Sequence, residues 1–160
     1  MVVARIEYYH DKAAPTPNSL APAAFAVVRD GVGRVLLVRR ADTGDWELPG
    51  GRLDPGETIL DAVRREVAEE SAVTIAVTGI SGLYSDPGHI LYYPETGESR
   101  QVFAVCFHAR PLAGQPAGDG RETVDAAWFE LVQLRDLSIH PSMRLRITHA
   151  VTEPTRTHIE

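Results

Sequence analysis

The sequence predicts an α/β fold in which helices pack on a mixed β-sheet. Short apolar runs bounded by turn residues recur along the chain, and two other segments have helical spacing. Because helices and strands do not alternate regularly, a purely parallel sheet is not expected. The length of 160 residues and the hydrophobic fraction of 44% are those of one globular domain with its own core.

The predicted elements follow one another from the N-terminus. Residues 1–22 are predicted to be an irregular lead-in, because "DKAAPTPNSLAP" is rich in Pro and Ala. The domain is predicted over residues 23–151 and a polar, frayed tail over 152–160. Inside the domain, "AAFAVVR" and "RVLLVRR" flank "DGVG" and predict a hairpin. Further strands are predicted in "VTIAVTGISGLYS", "RQVFAVCFHAR" and "TVDAAWFEL". Helices are predicted over 57–71 and onward from Pro141, where proline suits a first turn.

Composition excludes several classes of partner. The net charge of −6 disfavours polymeric nucleic acid, whose phosphates select basic surfaces. No apolar run approaches the roughly 20 residues that span a bilayer, and the N-terminus has no secretory apolar block, so we expect a cytoplasmic protein that does not contact membranes. Cys106 is alone in "VFAVCF" and is interpreted as a buried, inert thiol.

Three glutamates cluster at the end of the first helix. At about 100° per residue, Glu66 and Glu70 fall inside or beside the apolar stripe, and Glu69 falls at its edge. That stripe consists of Ile59, Leu60, Val63 and Val67. A helix C-terminus carries partial negative charge, so carboxylates packed together there need a counter-charge.

Two interpretations of this cluster are open. The glutamates could be solvated surface residues with i,i+4 partners, and Arg65 could serve Glu69 in that way. Glu66 and Glu70, however, are four residues apart and face each other. A divalent cation would relieve this repulsion, and all-oxygen ligands favour Mg²⁺, with Mn²⁺ as an alternative. The preceding loop "LPGGRLDPGE" contains three glycines, which let backbone atoms approach a ligand closely.

Residues 51–73, "GRLDPGETILDAVRREVAEESAV", resemble the Nudix box of MutT-like hydrolases. The matching positions are Gly51, Glu57, Arg65, Glu66, Val67, Glu69, Glu70 and Val73. The resemblance extends through "WELPGG" and "AAWFEL" over roughly residues 20–138. Ala72 occupies the position of a family glycine that suits a left-handed helix exit, so we expect the chain to leave the helix without a left-handed residue.

The resemblance implies an α/β/α sandwich that hydrolyses a nucleoside diphosphate linked to another group. By position, Glu66 and Glu70 resemble the main metal ligands, and the Gly50 carbonyl is their companion. Glu69 resembles a further ligand or a water-orienting group. Glu57 and Arg65 resemble supporting residues of the catalytic loop and helix. Glu122 is a candidate for the acid that the family adds from a later loop, although an exposed loop glutamate is an equal alternative.

The substrate contacts are open at this stage. Phosphate contacts are expected from Arg52 and from Arg39 or Arg40, each of which could equally be a surface arginine. Tyr84 and Tyr92 are candidates to stack on a base. Pro87 lies near the place where a proline in the family indicates ADP-ribose-type substrates, and turn formation explains it as well.

The resemblance leaves two functional hypotheses. The favoured one is a Mg²⁺-dependent pyrophosphohydrolase acting on a small nucleotide, either a nucleoside triphosphate or an ADP-ribose-like compound. The alternative is a non-catalytic nucleotide-binding sensor of the same fold, which loss of a box glutamate would favour. His89, His108 and His140 fit no spaced metal motif and are interpreted as core or surface residues. The N-terminal lead-in could serve as an arm in a homodimer.

Overall fold

The computed structural model describes residues 4–160, so the first three residues of the predicted lead-in lie outside the described part. Two α-helices are present, α1 (Ile59–Ser71) and α2 (Pro141–Thr152), with a 3₁₀ turn at Leu131–Asp136. The strands are β1 (Ile6–Tyr9), β2 (Ser19–Val28), β3 (Val35–Arg40), β4 (Trp46–Glu47), β5 (Gly50–Arg52), β6 (Thr74–Tyr84), β7 (His89–Tyr93), β8 (Glu98–Ala113), β9 (Thr123–Phe129) and β10 (His158–Ile159). No helix in residues 4–160 has both the length and the apolar character needed to cross a membrane.

The strands form a mixed seven-stranded sheet and a smaller three-stranded sheet. In the large sheet the order is β1-β7-β8-β2-β5, and β6 pairs with both β8 and β10. The pairs β2/β8 and β10/β6 are parallel, and the others are antiparallel. The small sheet has the order β4-β3-β9. The predicted mixed sheet is therefore confirmed.

The centre of the large sheet is buried on both faces, which makes the domain an α/β/α sandwich. Side chains alternate across a strand, so neighbours along β2 enter opposite cores. Val27 packs in one core with Met143 and Ile147 of α2. Val28 packs in the other core with Val63 of α1. Helices α1 and α2 therefore pack on opposite faces of the large sheet, at its central strands β2 and β8.

Local side-chain chemistry sets both ends of α1. The Thr58 hydroxyl accepts from the Asp61 amide at 3.1 Å, and the Asp61 carboxylate accepts from the Thr58 amide at 3.2 Å. This reciprocal cap starts the helix two residues later than predicted. At the other end Ala72 has φ 59° and ψ 15°, a left-handed conformation. The expectation of an exit without a left-handed residue is therefore wrong.

The structure corrects three further expectations about the elements. The predicted irregular lead-in contains β1, which pairs with β7, and β2 already begins within it. The predicted frayed tail contains β10, which pairs with β6. The predicted hairpin is limited to the turn, where Arg29 bridges Val35, since β2 and β3 then enter different sheets. In each case pairing with a strand distant in sequence determines the outcome.

Candidate active site

The acidic residues at the end of α1 differ sharply in exposure. Glu70 is 6% exposed, and the Glu66 side chain is 14% exposed. The Glu69 side chain is 58% exposed. The helical periodicity therefore directs two of the three carboxylates inward, while Glu69 stays at the rim.

Two glycines of β5 leave no space for a side chain, Gly51 because Glu66 lies against it and Gly50 because β2 does. A Cβ on Gly51 would lie 2.7 Å from the Glu66 carboxyl carbon. A Cβ on Gly50 would lie 2.2 Å from the Ala24 carbonyl oxygen. The Gly50 amide donates to Glu70 Oε2 at 2.9 Å, which fixes that carboxylate against the strand. Any larger residue would displace either the strand or the carboxylate.

The Arg65 guanidinium joins α1 to the loop that precedes it. Its Nε donates to Glu57 Oε1 at 2.5 Å, and its Nη1 donates to Glu66 Oε1 at 2.8 Å. Its Nη2 donates to the Arg52 carbonyl at 3.3 Å. The hydrogen bond from Arg65, with that from the Asp54 amide, lowers the pKa of Glu57 to about 2. Arg65 therefore links Glu57 of the loop to Glu66 of the helix.

Burial and neighbouring negative charge disfavour the ionised forms of Glu66 and Glu70 when no cation is bound. Burial raises the pKa of Glu70 well above its usual value; the Gly50 amide opposes this, while Glu47 and Glu66 add to it. Burial also raises the pKa of Glu66, against the hydrogen bond from Arg65. A bound cation would reverse both effects. Glu66 and Glu70 offer carboxylate oxygens beside the glycines of β5, and oxygen donors are the ligands that a hard divalent ion such as Mg²⁺ prefers.

The loop before β9 is fastened to the end of α1 and carries Glu122. Asp119 Oδ1 accepts from the amides of Arg121, Glu122 and Thr123 at 2.7, 2.9 and 3.0 Å. Thr123 Oγ1 donates to the Glu70 carbonyl at 2.8 Å. Glu122 is exposed and lines the same cavity as Glu66 and Glu70.

A cavity of about 560 Å³ opens beside these carboxylates, and such a volume accommodates a nucleotide-sized ligand. Its lining includes Gly51 and the predicted site residues Gly50, Glu66, Glu70, Glu122, Arg40 and Arg52. Arginines are the main cationic groups of the lining: Arg5, Arg40, Arg52, Arg100 and Arg146. Arg40 is paired with Asp42 and Glu47, and Arg100 is paired with Glu98. The cavity therefore places arginines beside the acidic patch, which suits a phosphate group that brings a metal ion.

Four predicted substrate residues do not line this cavity. Arg39 precedes Arg40 on β3 and so points to the opposite side of the strand. Tyr92 is likewise out of phase with Leu91 and Tyr93, which do line the cavity.

The other two residues are excluded by their local surroundings. Tyr84 is 4% exposed, and its hydroxyl bonds His149 Nδ1 at 2.8 Å inside the core. Pro87 lies in the turn before β7, which agrees with the turn-forming alternative.

The cavity also contains residues that the sequence interpretation missed. Tyr93 stacks under Arg100, whose Cζ lies 4.8 Å from the ring centroid. Arg146 is 2% exposed and lies over Phe25 at 5.2 Å, and within residues 4–160 its Nε has no hydrogen-bond partner. Arg146 follows Met143 by three residues, so helical spacing alone could have placed it on the inner face of α2.

Comparisons with known proteins agree with this geometry. A NUDIX domain family model matches residues 19–149. A human 8-oxo-dGDP phosphatase is 35% identical over 116 residues, which are 70% of this chain and 32% of the human protein. An ADP-ribose pyrophosphatase from Methanocaldococcus jannaschii is 31% identical over 121 residues, which are 71% of this chain and 66% of that protein. The match therefore spans less than two thirds of either relative's own length.

A solved structure supports the same fold. The crystal structure of an ADP-ribose pyrophosphatase from Streptococcus suis matches with a TM-score of 0.68 and 21% identity. The match covers 88% of this chain and 98% of that chain. At this level of identity the likeness establishes the architecture alone.

Proposed function

Because the chain belongs to the Nudix family, we propose that it is a divalent-metal-dependent hydrolase that cleaves a diphosphate linkage in a nucleoside diphosphate derivative. The observation that carries the proposal is that Glu66, Glu70, Gly50 and Gly51 all line one nucleotide-sized cavity. Glu70 accepts a hydrogen bond from an amide and none from a cationic side chain within residues 4–160. That arrangement supports a role for Glu70 as a ligand to an added cation.

Hydrolysis requires water to attack a phosphorus surrounded by anionic oxygens. A Mg²⁺ ion held by Glu66 and Glu70, with Glu69 and the Gly50 carbonyl as further candidates, would neutralise phosphate charge and acidify a bound water. Arg52 and Arg40 line the same cavity and would orient the phosphates. Arg65 acts as a positioning residue, since it holds Glu66 and the loop carbonyl of Arg52 together.

Glu122 is our choice for the group that takes the proton from the attacking water. It lines the cavity, and three amide hydrogen bonds to Asp119 order its loop. Glu69 is exposed like Glu122, but it does not line the cavity and is held by Arg65 at 3.3 Å, so it is less free to act. A general base contributes roughly 10²- to 10⁴-fold to a rate. We therefore expect Glu122→Gln to lower kcat by more than Glu69→Gln does, with little change in KM.

The test of the proposal is a substrate panel with Mg²⁺ in which the products are resolved. Pyrophosphate plus a nucleoside monophosphate identifies a triphosphate substrate, and AMP plus ribose 5-phosphate identifies ADP-ribose. Glu70→Gln should abolish turnover, while the exposed Glu95→Gln should retain it. Full turnover by Glu70→Gln would refute its assigned role. Tight nucleotide binding without turnover by the unmodified protein would instead support the sensor hypothesis.

A further inference from the structure

A second group of metal-ligating side chains lies along the same cavity. Glu7 of β1, His89 at the start of β7 and His140 before α2 each offer one ligand atom, and these atoms lie within 4.8 Å of one another. Glu7 Oε1 is 2.6 Å from His89 Nε2 and 3.6 Å from His140 Nε2. Glu7 and His89 line the cavity, but none of the three belongs to the α1 cluster.

The surrounding residues hold the two imidazoles in a fixed relation. Their rings are stacked, with centroids 5.3 Å apart and planes 14° apart. Tyr9 contacts both rings edge-on, at 5.4 Å from His89 and 5.2 Å from His140. His89 is 5% exposed, His140 is half-buried and Glu7 is exposed, so the group is open to solvent on the side of its carboxylate. Both Nε2 atoms are directed toward the same carboxylate.

The surroundings of His140 Nδ1 can take up the ring proton when a metal binds at Nε2. Nδ1 accepts from the Ser142 amide at 3.2 Å and lies 2.7 Å from Ser142 Oγ. Metal binding at Nε2 would move the ring proton to Nδ1, which would then donate to the Ser142 hydroxyl and give up the hydrogen bond from the amide. A hydrogen bond from the second ring nitrogen is the support that metal-ligating histidines commonly have.

We propose that Glu7, His89 and His140 form a second metal site that takes Zn²⁺ or a chemically similar ion. Two imidazoles and one carboxylate suit a borderline ion, in contrast to the all-oxygen set of α1. Three protein ligands leave one coordination position for water or substrate, as in catalytic zinc sites. With bonds of about 2.0–2.1 Å, tetrahedral ligands lie about 3.3 Å apart, so the 2.6 Å contact must lengthen by less than 1 Å.

The first experiment separates this site from the glutamate cluster. In the variant Glu66→Gln/Glu70→Gln, Co²⁺ should bind with one equivalent per chain and give intense visible bands typical of a four-coordinate ion. Adding His140→Gln should weaken binding at least tenfold and remove those bands. Adding His10→Gln should change neither, since His10 is a nearby histidine that pairs with Asp86 outside the group. Equal Co²⁺ binding with and without His140→Gln would overturn the proposal.

A second measurement covers the case in which His140→Gln does not fold, since this residue caps α2. Zn²⁺ should raise the Tm of the unmodified protein and of Glu66→Gln/Glu70→Gln alike, and Glu7→Gln should lose that shift. The same variants are dialysed against Zn²⁺ and their metal content is measured. A Tm shift confined to proteins with intact α1 glutamates would assign all binding to that cluster and reject the second site. Neither readout depends on hydrolysis, so failure here is distinguishable from failure of the proposed function.

Discussion

The left-handed conformation of Ala72 predicts that Ala72→Gly stabilises the protein. An L-residue with a side chain in this region, here at φ 59°, costs roughly 1–2 kcal/mol relative to a right-handed conformation. Glycine removes that strain but adds about 0.4–1 kcal/mol of backbone entropy to the unfolded chain. Ala72 is exposed, so its methyl group contributes little burial. The net gain in free energy of unfolding should be about 0.5–1 kcal/mol.

This gain is measured by urea unfolding in the presence of EDTA, with circular dichroism as the readout. For a chain of this size, 1 kcal/mol shifts Tm by roughly 2–4 °C, so the expected rise is about 1–4 °C. Ala68→Gly is the matched control, since Ala68 lies inside α1 with right-handed geometry and should lose about 1 kcal/mol. The two substitutions are chemically identical and should act in opposite directions. Equal or lower stability of Ala72→Gly would refute the strain argument.

Three other predictions follow from burial and from the cavity lining. In metal-free protein the raised pKa of Glu70 means that the folded state holds a proton that the unfolded state releases above pH 4.5. The free energy of unfolding should therefore fall as pH rises from 4.5, and Glu70→Gln should flatten that slope in urea titrations; an unaltered slope would contradict this. Burial raises the pKa of the Cys106 thiol to about 12, so a disulfide reagent at pH 8 should label it only as fast as the protein unfolds. Tyr84→Phe should lower stability by about 1 kcal/mol through the lost His149 contact and leave KM unchanged, whereas Tyr93→Ala should raise KM severalfold.

The predictions that agree with the structure are those that rest on local periodicity. The burial of Glu66 and Glu70 and the exposure of Glu69 follow from 100° steps along one helix, which need no knowledge of its neighbours. The fold class also follows from local patterns, because strand-like and helical spacings are each set within a few residues. The start of α1 was missed by two residues, although "TILD" contains the local cap that sets it.

The failures arise where a local pattern has two solutions and a distant contact selects one. Arg39 and Arg40 are neighbours on β3, so only one of them can face the cavity, and the sequence allows either. The pairing of β3 with β4 and β9 determines that Arg40 faces it. The His89–Glu7 contact joins residues 82 positions apart, so no spacing rule could have found it. It exists because β1 pairs with β7, in a segment that the sequence predicts to be an irregular lead-in. The residues proposed to hold the first metal are therefore readable as a motif, whereas those proposed to hold a second depend on the strand pairing that closes the cavity.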